Sequence, residues 1–91
     1  MLLLAGSSGA VAQADADSDY LAMLSKYGLN ATPDDSAALV QVGHLICTDL
    51  GNGVSAQQEA DALLRSLPKA TTKQTGILVT VAQMKLCPNT Q

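Results

Sequence analysis

The stretch TTKQTGILVTVAQMKLC, residues 71–87, decides which fold this chain adopts. Thr71 and Gln74 predict a capping box, because the side chain of each can bond the backbone N–H of the other at the start of a helix. The apolar residues that follow would cover well over half of a helix circumference: Ile77, Leu78, Val79, Val81, Ala82, Met84 and Leu86. So wide an apolar arc is typical of a central helix that several neighbours bury, and we expect an all-α fold around this segment.

This segment leaves two alternatives open. Its valines make a strand at residues 77–81 an alternative, although the caps and the length favour a helix. The arc also has a second side, since Val79 and Leu86 point away from the core-facing residues. That side is either covered by neighbouring helices or left open as an apolar groove or protein-contact surface, and a homodimer through this helix would also hide it.

An upstream segment carries the pattern of a first helix. We predict this helix from about Asp17 to Tyr27, because Tyr20 and Leu24 recur on one face at helical spacing. Gly28 follows directly and can adopt the left-handed conformation that commonly stops a helix.

Two more helices are predicted between these segments. The second helix starts after Thr32, a good N-cap, and the third starts at Ser55, which forms a capping box with Gln58. Gly43 lies within the apolar stripe of the second helix, where glycine costs up to about 1 kcal/mol against alanine. We therefore expect Gly43 to allow close approach of another helix. Helices this short and unequal predict a small irregular or orthogonal four-helix bundle.

The N-terminus has features of an export signal. A short apolar run leads into small residues, so a signal peptidase could cut after Ala12, Ala14 or Ala16. The basic region that normally precedes the apolar run is missing, so either the chain begins inside its own signal or this stretch is not a signal, and we favour the first. We assign residues 1–16 to a signal peptide or its remnant and residues 17–91 to a single helical domain. The apolar run is far shorter than the ~20 residues that span a membrane.

Cys47 and Cys87 are the only cysteines of the sequence. Downstream of an export signal, such a pair indicates an oxidising compartment and one disulfide. The bridge would tie the second helix to the last residue of the fourth and stabilise the domain by about 4 kcal/mol in the chain-entropy description. Thiol-disulfide enzymes usually carry Cys-x-x-Cys, so a structural bridge is favoured over a redox-active one.

The composition argues against several classes of partner. The net charge is −3 and the five basic residues are scattered, whereas nucleic-acid binding needs a concentrated positive patch. Anionic membrane surfaces are disfavoured for the same reason. Tyr20 and Tyr27 are the only aromatic residues, so platforms for stacking flat cofactors are nearly absent, and we expect no cofactor.

No residue set predicts catalysis or metal binding. His44 lies one turn before Cys47, but a nucleophilic pair would need a reduced cysteine. A lone histidine also lacks the partner ligands of a transition-metal site. We therefore expect His44 to be a partly exposed surface residue, and Glu59 and Asp61 to be solvent-facing charges on the third helix.

Three groups of residues carry a resemblance to a known family. They are Asp19-Tyr20-Leu21 with Leu24 and Gly28, then Gly43-x-x-Ile46-Cys47-x-x-Leu50-x-x-Gly53, and finally Cys87-Pro88. The order and spacing of these three groups make the chain resemble the mycobacterial and actinobacterial secreted proteins called domain of unknown function 732. The resemblance implies an export signal, two paired cysteines and a small helical domain in the cell envelope or outside the cell, and it implies no known activity. Leu86 stands where these proteins usually have an aromatic residue.

We expect a small exported domain that is not an enzyme and that binds a protein or cell-envelope partner. The candidate residues of its partner or apolar-ligand surface are Tyr20, Tyr27, Val79 and Leu86. The alternative is a carrier of a small molecule or lipid, with an apolar cavity between the first, second and fourth helices. That cavity would be lined by Leu24, Leu39, Val42, Ile77 and Val81, and a densely packed interior would argue against it.

Overall fold

The computed structural model describes residues 15–30 and 32–90. The described part of the chain forms four α-helices and a short 3-10 helix, and it contains no strand. The elements are α1 (residues 15–26 in its described part), α2 (Pro33–Gly51), α3 (Ala56–Ser66), α4 (Thr72–Lys85) and the 3-10 helix Pro88–Thr90. The predicted irregular four-helix fold is confirmed, and the strand alternative for residues 77–81 is wrong because α4 contains them.

The predicted export signal falls mainly on residues 1–14, which lie outside the described residues. Asp15 and Ala16 are described and belong to α1, so this helix starts earlier than predicted.

The predicted helix starts are confirmed. The Thr32 side chain accepts a hydrogen bond from the Asp35 backbone N–H at the start of α2. The capping boxes at Ser55 and Thr71 are both complete. Each cap satisfies backbone donors that have no partner inside the helix, a contribution of about 1 kcal/mol.

One of two predicted helix ends differs from the structure. Gly28 takes a positive φ of 91° and stops α1 as predicted. Helix α4, by contrast, ends at Lys85, so the prediction that Cys87 is its last residue is wrong. Pro88 follows Cys87, and a residue before proline is sterically disfavoured in the α region.

Helix α4 is the centre of the fold, because it supplies half of the buried hydrophobic residues in the described part of the chain. The core residues are Tyr20, Leu24, Ile46, Leu63, Leu78, Val79, Val81 and Ala82. Helix α4 packs against both α2 and α3. Val79 is buried and lines a small surface pocket together with Ala56 and Ala60 of α3, so the Val79 part of the second apolar side of α4 is covered within one chain.

Candidate functional site

A disulfide joins the C-terminal half of α2 to the segment after α4. The Cys47 and Cys87 sulfurs are 2.07 Å apart and the two Cα atoms 5.8 Å apart, which confirms the predicted bridge. Because both sulfurs are bonded, Cys47 does not offer the thiolate that a nucleophilic pair with His44 would need.

Gly43 lies one turn before Cys47, at the closest approach of three segments. A Cβ atom placed on Gly43 would lie 2.6 Å from Leu86 Cδ1 and 2.8 Å from Tyr20 Cζ. These distances are too short for packed carbon atoms, so only glycine lets α1 and the segment after α4 approach α2 this closely. The predicted role of Gly43 is confirmed.

Tyr20 fills the space that Gly43 leaves. Its side chain is fully buried, and its hydroxyl donates a 2.8 Å hydrogen bond to the Leu39 backbone carbonyl. Burial and, to a smaller degree, the charge of Asp17 raise the pKa of this hydroxyl above its usual value. The prediction that Tyr20 belongs to an accessible surface is therefore wrong, because the missing Gly43 side chain lets the ring enter the core.

The four candidate surface residues do not form one surface. Val79 is only 2% exposed, which matches the alternative that neighbouring helices cover this side of α4. Leu86 is half-buried against Gly43, and Tyr27 alone is largely exposed, at 54%. Tyr27 borders a shallow hollow together with Ile77.

A side-chain contact between His44 and Asp17 docks α1 onto α2. His44 Nε2 lies 2.7 Å from Asp17 Oδ1, and no other basic side chain lies within 4.0 Å of a carboxylate among residues 15–30 and 32–90. His44 is partly exposed, as expected, but its pairing with a residue 27 positions away had no signal in the sequence. The Thr48 hydroxyl, one turn on, donates to the His44 backbone carbonyl at 3.1 Å, so it does not complete a catalytic triad with the pair.

An apolar groove of about 340 Å³ lies between α2, α4 and the loop that joins α3 to α4. We call it the α2 groove, and its lining residues are Leu29, Asn30, Asp35, Ala38, Leu39, Val42, Leu67, Ala70, Gln74 and Leu78. Ala38 and Leu67 are solvent-exposed, so the groove is open to the surface. Within the part of the chain that the structure describes, Asp35 is the only charged residue that lines the groove.

The residues predicted to line a carrier cavity lie in three different places. Leu24 is fully buried in the core. Leu39 and Val42 line the α2 groove, whereas Ile77 and Val81 border the hollow beside Tyr27. The structure therefore does not bring the five residues around one continuous void.

Two carboxyl groups meet between α2 and α3. Glu59 is only 3% exposed, so the prediction that it faces solvent is wrong, whereas Asp61 is exposed as expected. Burial, together with a hydrogen bond and the charge of Asp49, raises the pKa of Glu59 to about 7. Glu59 precedes the core residue Leu63 by one turn, and this spacing is the signal in the sequence that could have placed it on the buried face.

The described residues contain no group of three or more His, Cys, Asp or Glu side chains that could hold a metal ion. Over the same residues, every helix is too short or too polar to cross a membrane.

The chain matches the family described as "Protein of unknown function (DUF732)" over residues 14–89, which is most of its length. No curated protein matches the chain, and no solved structure does. The matched range contains the buried Tyr20, the close approach at Gly43 and both cysteines. With its four helices, its disulfide and this match, the chain belongs to this family of proteins of unknown function.

Proposed function

We propose that the protein works outside the cytosol as a non-catalytic binding module, and that the α2 groove receives apolar side chains of a partner protein. The observation that carries the proposal is the groove itself, which is mostly apolar and open to solvent. Apolar concave surfaces with a few polar groups at the edge are typical of binding sites.

The shape of the α2 groove favours a protein segment over a carried lipid. Its volume of about 340 Å³ is near the lower end of ligand sites, which reach about 1,000 Å³. A carrier must enclose most of its ligand, whereas this groove leaves Ala38 and Leu67 exposed along its edge. An amphipathic helix that lays a few anchor side chains into the groove fits this geometry.

The charge of the groove indicates which kind of partner segment would bind there. Among residues 15–30 and 32–90, Asp35 is the only charged residue that lines the groove, and no basic side chain lines it. The whole chain also carries a net charge of −3. A partner segment with a basic residue beside its apolar anchors therefore has the complementary charge.

The disulfide supports a location outside the cytosol, because such bonds persist in oxidising compartments. The bridge also supports a non-catalytic role, since it leaves no thiol at Cys47 or Cys87. His44 is held by Asp17 in a contact that docks two helices.

Two neighbouring alanines of α2 provide a matched test. Ala38 lines the groove, whereas Ala37 is also exposed but lies outside it. We expect Ala38→Glu to weaken partner binding at least about tenfold, equivalent to about 1.4 kcal/mol, because it places a charge in the apolar groove. Ala37→Glu should bind like wild type. The partner would be captured from cell-envelope fractions with the exported protein, and its affinity for the three proteins measured by calorimetry.

Intact mass with and without reductant would first establish the state of the exported protein. We expect cleavage after Ala12, Ala14 or Ala16 and no free thiols, whereas an uncleaved chain with two free thiols would contradict the proposed location. Equal affinities of wild type and Ala38→Glu would contradict the proposed groove. A lipid that copurifies with wild type and not with Ala38→Glu would instead support the carrier alternative.

A further inference from the structure

We propose that the hollow beside Tyr27 is a second binding surface, which receives an amphipathic helix of a partner protein that carries an acidic residue beside its apolar side chains. We call it the Tyr27 hollow, and its lining residues are Tyr27, Lys73, Gly76, Ile77, Thr80 and Val81. It shares no lining residue with the α2 groove, so the proposal does not rest on what that groove binds.

The Tyr27 hollow is a mostly apolar depression of about 330 Å³ that is open to solvent. Val81 is fully buried and forms its floor, whereas Tyr27 is 54% exposed at its edge. Met84 is 43% exposed and lies two turns after Ile77 on the same side of α4. The apolar strip therefore continues along α4 beyond the hollow, as suits a helix that binds through several anchor side chains.

The packing of the described residues does not require glycine at position 76. A glycine inside a helix costs stability against alanine, because its backbone loses more conformational freedom on folding. Gly43 offsets this cost by admitting Tyr20, whereas a Cβ atom on Gly76 would meet nothing within 4 Å. Gly76 also lacks the positive φ that would call for glycine. Its missing side chain instead leaves room for a helix from outside the chain to approach α4 closely.

A smaller hollow of about 170 Å³ adjoins the Tyr27 hollow, because Gly76 and Thr80 line both. Its other lining residues belong to α3 and to the side of α4 that α3 covers: Ala56, Gln57, Ala60 and Val79. The two hollows therefore lie side by side, with Gly76 and Thr80 between them. A helix that crosses α4 at Gly76 can place side chains into both hollows.

The charge of the Tyr27 hollow favours an acidic partner helix. Over residues 15–30 and 32–90, Lys73 is the one charged residue that lines either hollow. A partner carboxylate supplies the opposite charge and can also accept a hydrogen bond from the Thr80 hydroxyl. A second copy of this chain lacks that complement, because α4 carries two lysines and no acidic residue.

Two synthetic peptides serve as probes in NMR titrations of the whole chain with its disulfide intact. Both form amphipathic helices with the same leucine stripe, and they differ only in the glutamates or lysines that flank it. We expect the glutamate peptide to shift the backbone amide signals of Gly76, Ile77 and Thr80. It should bind there at least about threefold more tightly than the lysine peptide.

A charge reversal at Lys73 tests the acidic preference. Lys73→Glu should weaken binding of the glutamate peptide about threefold to tenfold, because an attraction is replaced by a repulsion. Lys69→Glu is the matched control, since Lys69 is also an exposed lysine but lies outside both hollows. Both variants have the same net charge, and Lys69→Glu should bind like wild type.

Gly76→Ala separates a binding role of this glycine from a structural one. Its methyl group should raise the thermal midpoint of the chain through the better helix propensity of alanine. The same group should weaken the glutamate peptide at least about fivefold, because it blocks the close approach of the helix. Gly51→Ala is the matched control and should bind like wild type, since Gly51 is also helical with nothing within 4 Å and lies outside both hollows.

The proposal is overturned if the glutamate peptide leaves the amides of Gly76 and Thr80 unshifted, or if the lysine peptide binds there as tightly. It is also overturned if Gly76→Ala or Lys73→Glu binds the glutamate peptide like wild type. Concentration-dependent shifts of these amides without peptide, together with a dimer in sedimentation, would assign the surface to a second copy instead. Binding in the α2 groove is measured separately at the Ala38 amide, so the failure of either proposal is distinguishable from that of the other.

Discussion

The two halves of α2 meet very different surroundings. Residues 43–47 form the staple end, where Gly43 contacts Tyr20 and Leu86 and the disulfide closes the chain. Residues 35–42 form the groove end, where one flank of the same helix faces an open apolar space of about 340 Å³. One continuous helix therefore carries both a close helix contact and an open apolar groove.

This difference shows how a domain below 100 residues can hold an open groove. A small domain buries little surface and is stable by only a small margin, about 5–15 kcal/mol for proteins in general. A covalent bond and a close helix contact at the staple end stabilise the whole of α2, including its other half. The groove end then needs no dense packing of its own.

Removal of the disulfide should have the largest effect. We expect Cys47→Ser with Cys87→Ser to lower the free energy of unfolding by about 4 kcal/mol, because the unfolded chain regains the freedom of a long loop. Urea unfolding of the double variant and of wild type would measure the difference. Wild type in reductant is the control and should show a similar loss. A loss below about 1 kcal/mol would mean that the staple end is stable without its covalent bond.

Gly43→Ala should have an intermediate effect. Leu86 can rotate away from a new methyl group, but the Tyr20 ring is fully buried and cannot. Overpacking costs about 1–3 kcal/mol, and the better helix propensity of alanine offsets up to about 1 kcal/mol. We therefore expect a net loss of about 1–2 kcal/mol by thermal or urea unfolding.

Gly76→Ala is the matched control for this substitution. Gly76 also lies inside a helix, but a Cβ atom there would meet nothing within 4 Å. This variant should gain up to about 1 kcal/mol in unfolding free energy. The same sign of change at both glycines would contradict the close approach at Gly43.

Leu67→Ala, at the groove end, should have the smallest effect on stability. Leu67 is 37% exposed, and we expect its truncation to lower the unfolding free energy by about 0.5 kcal/mol or less. Leu45→Ala, at a 54% exposed leucine outside the groove, should behave alike. A loss of about 2–5 kcal/mol for Leu67→Ala alone, as in a packed core, would mean that the groove closes in solution.

Local chemistry predicted most of the fold. The capping pairs at Ser55 and Thr71 act over three residues, so the sequence alone reveals them. The role of Gly43 was predictable because glycine destabilises a helix interior, so its presence in an apolar stripe indicates that a neighbouring helix occupies the space. The predicted end of α4 lay too far along the chain, because Pro88 disfavours a helical backbone at the preceding Cys87.

Depth within the fold was much harder to predict. Helical spacing places Tyr20 and Tyr27 on one side of the predicted first helix, yet the structure buries Tyr20 and exposes Tyr27, which follows the end of α1. Tyr20 is buried because its ring occupies the space beside Gly43. Sequence spacing alone does not show which residue packs against Gly43. The charge of Glu59 favoured a solvent-facing position, whereas its one-turn spacing from Leu63 indicated the buried face that it occupies. The α2 groove arises from the loop after α3, and no local pattern specifies that arrangement.

The disulfide divides the chain mechanically. Cys47 and Cys87 are separated by 40 positions, so residues 48–86 form a closed ring that cannot be drawn out while the bond holds. At about 3.5 Å per residue, the closed ring shortens the fully stretched chain by about 140 Å compared with the reduced protein. Helix α1 and most of α2 lie outside the ring and are held only by noncovalent contacts. Tension on the N-terminal side therefore reaches α1 first, and it meets the Asp17–His44 pair and the buried Tyr20 before it reaches the ring.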